Sequence, residues 1–269
     1  MDLPVYNTLI LSDLHLGAET SRAREATRVL KENRFQRLIL LGDIFADLNF
    51  ARLTKDHWKF LSHIRKLSNP KRGVEVVWVE GNHDHGLTDI MSHLVGVRVY
   101  QRYDWQFAGL RHIAIHGHQF DGFQVNNVRF SRLGTALYLR LQKLDFKSKP
   151  IVRLIDRLNT RWLRMSSKVA AGALQYARQH DAGRIFCGHT HQAVHVEHHG
   201  VHYYNSGGWV DSRLTYLTVD EQGVRIHEYK ERADDRDSGQ ERGEADSALA
   251  DFADESGLLE DVEYESIGG

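Results

Sequence analysis

Five short blocks of metal-type ligands recur along the chain, each directly after an apolar, strand-like run. They are Asp13 with His15, Asp43, Asn82 with His83, His116 with His118, and His189 with His191. Glycines stand where the backbone is expected to turn tightly, at Gly42, Gly81, Gly117 and Gly188. One such block has little meaning, because a lone histidine such as His57, His63 or His118 is more often a satisfied core residue than a ligand. Five in succession at strand ends restrict the fold severely, since the scaffold must bring the carboxyl ends of several strands to one place.

The rest of the sequence supplies such a scaffold. A β-rich run from Tyr6 to Leu11, a helical stretch from Glu19 to Asn33, the apolar run Arg37 to Leu41, a helix over Thr54 to Leu67 and a buried strand over Val74 to Val79 read as βαβ units with parallel central strands. Later segments change character. Trp105 to His116, His195 to Asn205 and Arg213 to Tyr229 read as hairpins of a second sheet, the last two turning at His199-Gly200 and Gln222-Gly223. Between them, residues 119–183 carry apolar side chains at helical spacing (Phe130, Leu133, Leu137, Leu141, Leu144; then Ile151, Leu154, Ile155, Leu158) broken by Pro150. This predicts a helical insert, or cap.

Charge divides the chain. Residues 1–230 hold 32 Lys and Arg against 22 Asp and Glu, whereas residues 231–269 hold 3 against 14, so a basic body of +10 precedes an acidic tail of −11. The tail, poor in aromatics, is expected to be disordered and carries no catalytic assignment. The insert contributes 12 basic residues against four Asp, which suits either a solvated outer face or contact with a membrane surface or an anionic, acyl-bearing substrate. A single cysteine, Cys187, forms no intramolecular disulfide, the N-terminus lacks a basic signal-like region, and no window approaches the roughly 20 apolar residues of a membrane span. A cytoplasmic protein, peripheral on the inner face of the membrane at most, is the expectation.

The ligand atoms are carboxylate and amide oxygens and imidazole nitrogens, with no thiolate. That mixture suits Mn²⁺, Fe or Zn²⁺ better than Ca²⁺ or a structural zinc. Asp13, His15, Asp43, Asn82, His116, His189 and His191 are too many for one catalytic ion, which takes about three or four protein ligands, so two divalent ions with a shared carboxylate are expected.

The order D-x-H, GD, GNH, H, GH-x-H resembles the calcineurin-like metallophosphoesterase superfamily over about residues 5–230. The resemblance implies an α/β fold, a four-layer αββα sandwich, forming a domain over 1–230. It also implies one metal on Asp13, His15, Asp43 and His191, and a second on Asp43, Asn82, His116 and His189, with Asp43 bridging and His83 facing the phosphate. Within the superfamily the chain is similar to the branch containing UDP-2,3-diacylglucosamine hydrolase. The carrying residues are Ser12-Asp13-Leu14-His15-Leu16-Gly17, Gly42-Asp43-Ile44-Phe45, Cys187-Gly188-His189-Thr190-His191 and Asn205-Ser206-Gly207-Gly208-Trp209-Val210. The chain departs from that branch at His83, where Arg is typical, and at His116-Gly117-His118, where HGD is typical.

Hydrolysis of a phosphoester or pyrophosphate bond follows from this reading, with His83 stabilising the transition state or protonating the leaving oxygen. Asp47 or Asp84 are candidates to orient His83, and Arg111 and Lys149 to contact phosphate. A phosphorylated lipid or small molecule is the leading substrate class. Nucleotides or nucleic acid are the alternative, to which the basic body and the bases stacking on Trp105, Trp162 or Trp209 would contribute. A non-catalytic scaffold would be expected to have lost ligands, and none is missing.

Overall fold

In the computed structural model, residues 5–86, 91, 93, 95–121 and 166–230 are described. Three consecutive strands, β1 (Val5–Leu11), β2 (Arg34–Leu41) and β3 (Glu75–Val79), run parallel, linked by helices α1 (Ala23–Glu32) and α2 (Lys55–Leu67). A two-residue strand, β4 (Val99–Tyr100), extends one edge. The hairpins that follow are β5 (Tyr103–Phe107) with β6 (Leu110–Ala114), β8 (Val194–His198) with β9 (Val201–Asn205), and β10 (Thr215–Asp220) with β11 (Gly223–Glu228); β7 (Arg184–Cys187) stands between. They complete two sheets, ordered β11-β10-β1-β2-β3-β4 and β5-β6-β7-β9-β8. The last hairpin thus joins the first sheet rather than the second, with β10 antiparallel to β1.

Alternation along the central strands places the layers. Ile10, Ile39, Leu41, Val77 and Val79 face Trp105, Ala114, Phe186 and Tyr204 of the other sheet and form the inter-sheet core. The intervening Leu9, Leu11, Leu38, Leu40 and Trp78 turn to α1 and α2. On the far side, a helix running through 166–179, α3, lays Val169, Ala170, Ala173, Leu174 and Ala177 against Ile113, Ile115, Ile185, Cys187 and Tyr203. The result is the expected αββα sandwich, in which strands buried on both faces read as continuous apolar runs. α3, read from sequence as part of the insert, is the outer layer of the second sheet. The insert's predicted helices at 130–158 and the tail at 231–269 lie outside the described residues.

Helix α2 buries His57, Phe60, Leu61 and Ile64, the i, i+3, i+4, i+7 spacing of one face. Phe60 is fully buried, so Phe60→Ala is expected to lower unfolding stability by about 3–5 kcal/mol, read from urea midpoints. Unchanged midpoints would refute its role as the anchor of this helix.

Three sequence boundaries move. Helix α1 starts at Ala23 rather than Glu19, and Asn33 is already extended at φ −125° and ψ 150°. Strand β2 therefore begins at Arg34, where it pairs with Val5. The β10–β11 turn is Glu221-Gln222, because Gly223 is paired with Asp220. The β5–β6 hairpin turns at Ala108-Gly109, with φ of 50° and 73°, the left-handed pair that matches strand twist.

Candidate metal centre

All five ligand blocks follow strands that run parallel to a neighbour, and all five meet. Asp13 and His15 follow β1, Asp43 follows β2, Asn82 and His83 follow β3, His116 follows β6, and His189 and His191 follow β7. The β1 and β2 ends stay zipped beyond the strands, with Asp13 N–H donating to the Gly42 carbonyl and His15 N–H to the Asp43 carbonyl, both at 3.0 Å. Asp13, His15, Asp43, His189 and His191 all adopt left-handed φ, between 48° and 69°. Such backbone costs of order 1–3 kcal/mol per residue and gathers at functional sites.

Their side chains converge in three overlapping groups: Asp13, His15 and His191; His15, Asp43 and His83; and Asp43, His116 and His189. His15 Nε2 lies 3.1 Å from His191 Nε2, which lies 3.4 Å from Asp13 Oδ1. Asp43 Oδ2 is 3.3 Å from His116 Nε2 and 3.9 Å from His83 Nε2. Asn82 Oδ1 and His116 Nε2 are buried without a hydrogen-bond partner.

The sequence profile of the calcineurin-like phosphoesterases matches residues 6–193. The chain belongs to this family. Among solved structures, this phosphoesterase is similar in fold to a single mutant of Vps29 from Entamoeba histolytica, at 13% identity, covering 84% of this chain and 99% of that one, with a TM-score of 0.42. An archaeal phosphodiesterase gives 13%, 82% and 99%, and 0.47. Vps29 of Chaetomium thermophilum gives 11%, 84% and 90%, and 0.47. No curated protein matches the chain by sequence.

Electrostatics fit a divalent cation. Burial pushes the Asp43 carboxyl up, but His116, His83 and His15 outweigh it and hold Asp43 well below the usual carboxylate range. Asp13 is likewise lowered, burial being overcome by His191. The same pairs lift two imidazoles against their burial, His116 to about 9 by Asp43 and His191 to about 10 by Asp13 and Asp211. His15, buried with weaker compensation from Asp43, falls to about 3. Two buried carboxylates therefore demand positive charge, and orphaned oxygen and nitrogen lone pairs surround them, which is what a divalent ion needs.

Three of the four glycines are there for space, among them Gly42, whose Cβ would fall on the His116 ring. A Cβ at Gly81 would land on Asp43 Oδ1 and the Asp43 backbone nitrogen, and one at Gly188 on Asp13 Oδ2 and Ser12. Gly42 and Gly117 do turn the chain, with φ of +79° and +112°.

The supporting residues differ from expectation. Neither Asp47 nor Asp84 orients the His83 ring, whose Nδ1 is 2.8 Å from the Ala46 carbonyl. Asp47 pairs with Arg52, whereas Asp84, its carboxyl raised to about 6 by burial and Asp43, accepts from Gly81 N–H at 2.5 Å and Ile44 N–H at 2.9 Å and ties two ligand loops together. Arg111 sits at the start of β6, away from the site, bonded to Asp104 and the His180 carbonyl. Lys149 and Trp162 lie outside the described residues. Trp105 and Trp209 are core side chains, 6% and 0% exposed, and offer no face for bases. His118, absent from the three groups, has its ring 5.5 Å from that of His116. Sequence reasoning missed Asp121 and Asp211, which approach His189 and His191; neither belongs to a local pattern.

His57 is structural. Its Nδ1 accepts from Gly17 N–H at 3.2 Å and Thr54 N–H at 3.1 Å, and burial lowers its pKa to about 4. The folded state thus favours the neutral ring, so its contribution is complete above about pH 6.5 and is lost as pH falls from there through about 4. His63 and His112, also lowered to about 4 by burial, act in the same window. In chelator-treated protein, urea midpoints should fall between pH 6.5 and 4, less steeply for His57→Gln. An equal slope in the variant would refute the assignment.

Proposed function

We propose that this phosphoesterase uses two divalent cations, Mn²⁺ in preference to Fe or Zn²⁺, to hydrolyse a phosphoester or pyrophosphate bond in an amphiphilic, nucleotide-linked lipid such as UDP-2,3-diacylglucosamine. Asp13, His15, Asp43 and His191 hold one ion, and Asp43, Asn82, His116 and His189 the other. The observation that carries this reading is the double membership of Asp43, which belongs to a group with His15 and to another with His116 and His189. When bound, the ions neutralise phosphoryl oxygens and lower the pKa of water at the site.

The chain's own residues then orient the substrate. His83, fixed at Nδ1 by the Ala46 carbonyl, is left with Nε2 facing the cluster, where it contacts a phosphoryl or leaving-group oxygen. On the loop carrying Ala46, Leu48 is 55% exposed, an apolar side chain two residues from the carbonyl that holds His83. Together with the basic insert, this supports an amphiphile and a protein working at the cytoplasmic surface of a membrane. No described helix is long and apolar enough to cross one.

The test is Mn²⁺-dependent release of UMP from UDP-2,3-diacylglucosamine by the full-length protein, with Asp43→Asn as the blank. Efficient release supports the lipid substrate. Cleavage of an activated generic phosphodiester without UMP release overturns the substrate while keeping the chemistry, and salt-sensitive hydrolysis of oligonucleotides in its place moves the assignment to nucleic acid.

A further inference from the structure

The hairpin of β8 and β9 carries His195, His198, His199 and His202, none of which the phosphoesterase centre uses. Antiparallel pairing sets His195 opposite Tyr204 and Glu197 opposite His202, so these four side chains share one face. Val194, Val196, Val201 and Tyr203 turn to the other face and pack in the layer of α3. Tyr204 roots the first face in the inter-sheet core. Because β8 is the last strand of its sheet, that face opens to solvent beyond Tyr204: His195 and Glu197 are exposed, and the His202 side chain is 30% exposed.

On this face two imidazoles meet. His195 Nε2 lies 3.1 Å from His202 Nδ1, and Glu197 Oε2 lies 4.0 Å from the same Nδ1. Stacking orients the rings. His195 lies flat on Tyr204, with centroids 4.4 Å apart and planes at 6°, and the planes of His195 and His202 differ by 16°. Among the described residues, the outer nitrogens, His195 Nδ1 and His202 Nε2, have no hydrogen-bond partner. Each ring is therefore free to carry its proton on the outer side, which turns both lone pairs inward. Burial and the nearby His202 hold His195 below the ordinary imidazole pKa, which favours the neutral ring. Two inward lone pairs need a proton or a cation between them.

We propose that His195, His202 and Glu197 form a second metal site, separate from the phosphoesterase centre, for a late first-row divalent ion of the Cu²⁺ or Ni²⁺ type. The spacing is that of two adjacent ligands, since nitrogens 3.1 Å apart and each about 2.0–2.1 Å from one ion subtend about 95–102°. Such an angle suits neighbouring corners of a tetragonal site of nitrogen and oxygen donors, the geometry of Cu²⁺ and Ni²⁺, and Cu²⁺ heads the affinity order. Glu197 supplies the anionic oxygen by a side-chain rotation, and water takes the remaining corners. The ion clasps the edge strand β8 to β9. The other two histidines do not join it, because His198 stands on the opposite face of β8 and His199 in the turn.

The test uses full-length protein loaded with Zn²⁺, which is silent in electron paramagnetic resonance. One further equivalent of Cu²⁺ should bind with the zinc content unchanged and give a spectrum with two equatorial nitrogens. His195→Gln and His202→Gln should each weaken this binding by at least about 10-fold, whereas His198→Gln and His199→Gln leave it at the wild-type value. Cu²⁺ that displaces zinc in wild type and in His195→Gln alike, or an unchanged affinity in His195→Gln and His202→Gln, would overturn the site. Equal weakening by all four variants would overturn it as well, leaving an adventitious ion only on a histidine-rich hairpin.

Discussion

Asp43→Asn is expected to reduce turnover by at least about 10³-fold in metal-replete protein, equivalent to roughly 4 kcal/mol of transition-state stabilisation. The size follows from what one carboxylate does. Its Oδ2 lies 3.3 Å from His116 Nε2 and 3.9 Å from His83 Nε2, while Oδ1 accepts the His83 N–H at 2.8 Å. An amide of the same shape removes the negative charge that draws positive charge to the site, protons on His116 and metal alike. It also turns one acceptor into an N–H donor that either takes up the Nε2 lone pair of His116 or His83 needed for a cation or, flipped, faces the His83 backbone N–H with no acceptor. Metal content by elemental analysis should fall from two ions per chain under the two-ion reading, in parallel with the rate. Full activity together with full metal occupancy would refute the shared role of Asp43.

Gly81→Ala should have the largest structural effect of any one-carbon change in the centre. The added Cβ coincides with Asp43 Oδ1 and with the Asp43 backbone nitrogen, and that nitrogen lies on the parallel-paired β2 end, which cannot retreat without breaking the bond from His15 N–H to the Asp43 carbonyl. Gly81 also donates its N–H to the buried Asp84 carboxylate, so displacing it loosens the tie between the two ligand loops. Overpacking of this kind costs about 3 kcal/mol, and occasionally more. Thermal unfolding of the apoprotein and Mn²⁺ titration should both register it, the first as a fall in Tm and the second as lost affinity. Gly81 is not in the left-handed region, so the penalty is one of space alone. A wild-type Tm with wild-type affinity would show that the β2 and β3 ends are farther apart in solution.

The phosphoesterase centre was legible in sequence to an unusual degree because each ligand block is local. A strand ends, the chain turns, and a carboxylate or imidazole is exposed within two or three residues, as at Asp13-Leu14-His15 and His189-Thr190-His191. Period-two alternation and helical spacing were equally local, and they predicted a parallel strand-helix half followed by hairpins; the four-layer sandwich was implied by the family resemblance, and the last hairpin joined the first sheet instead of the second. The reasons behind individual residues were less accessible. Gly81 and Gly188 read as turn formers, yet they are small because carboxylates from another strand occupy the place of a side chain. Arg111 read as a phosphate contact and Trp105 as a base platform, but their strand positions direct one to Asp104 and the other into the inter-sheet core.

The sequence by itself determined which groups can hold a cation and in what kind of fold, because ligand chemistry and strand periodicity are properties of a few adjacent residues. Only the tertiary structure decided which nitrogen of His83, His116 and His191 faces the centre, and it did so through Ala46, Leu41 and Asp211. Those partners come from other parts of the chain and share no spacing with the rings they hold. A ring's orientation is set by whatever meets its second nitrogen, and that is a matter of packing between elements.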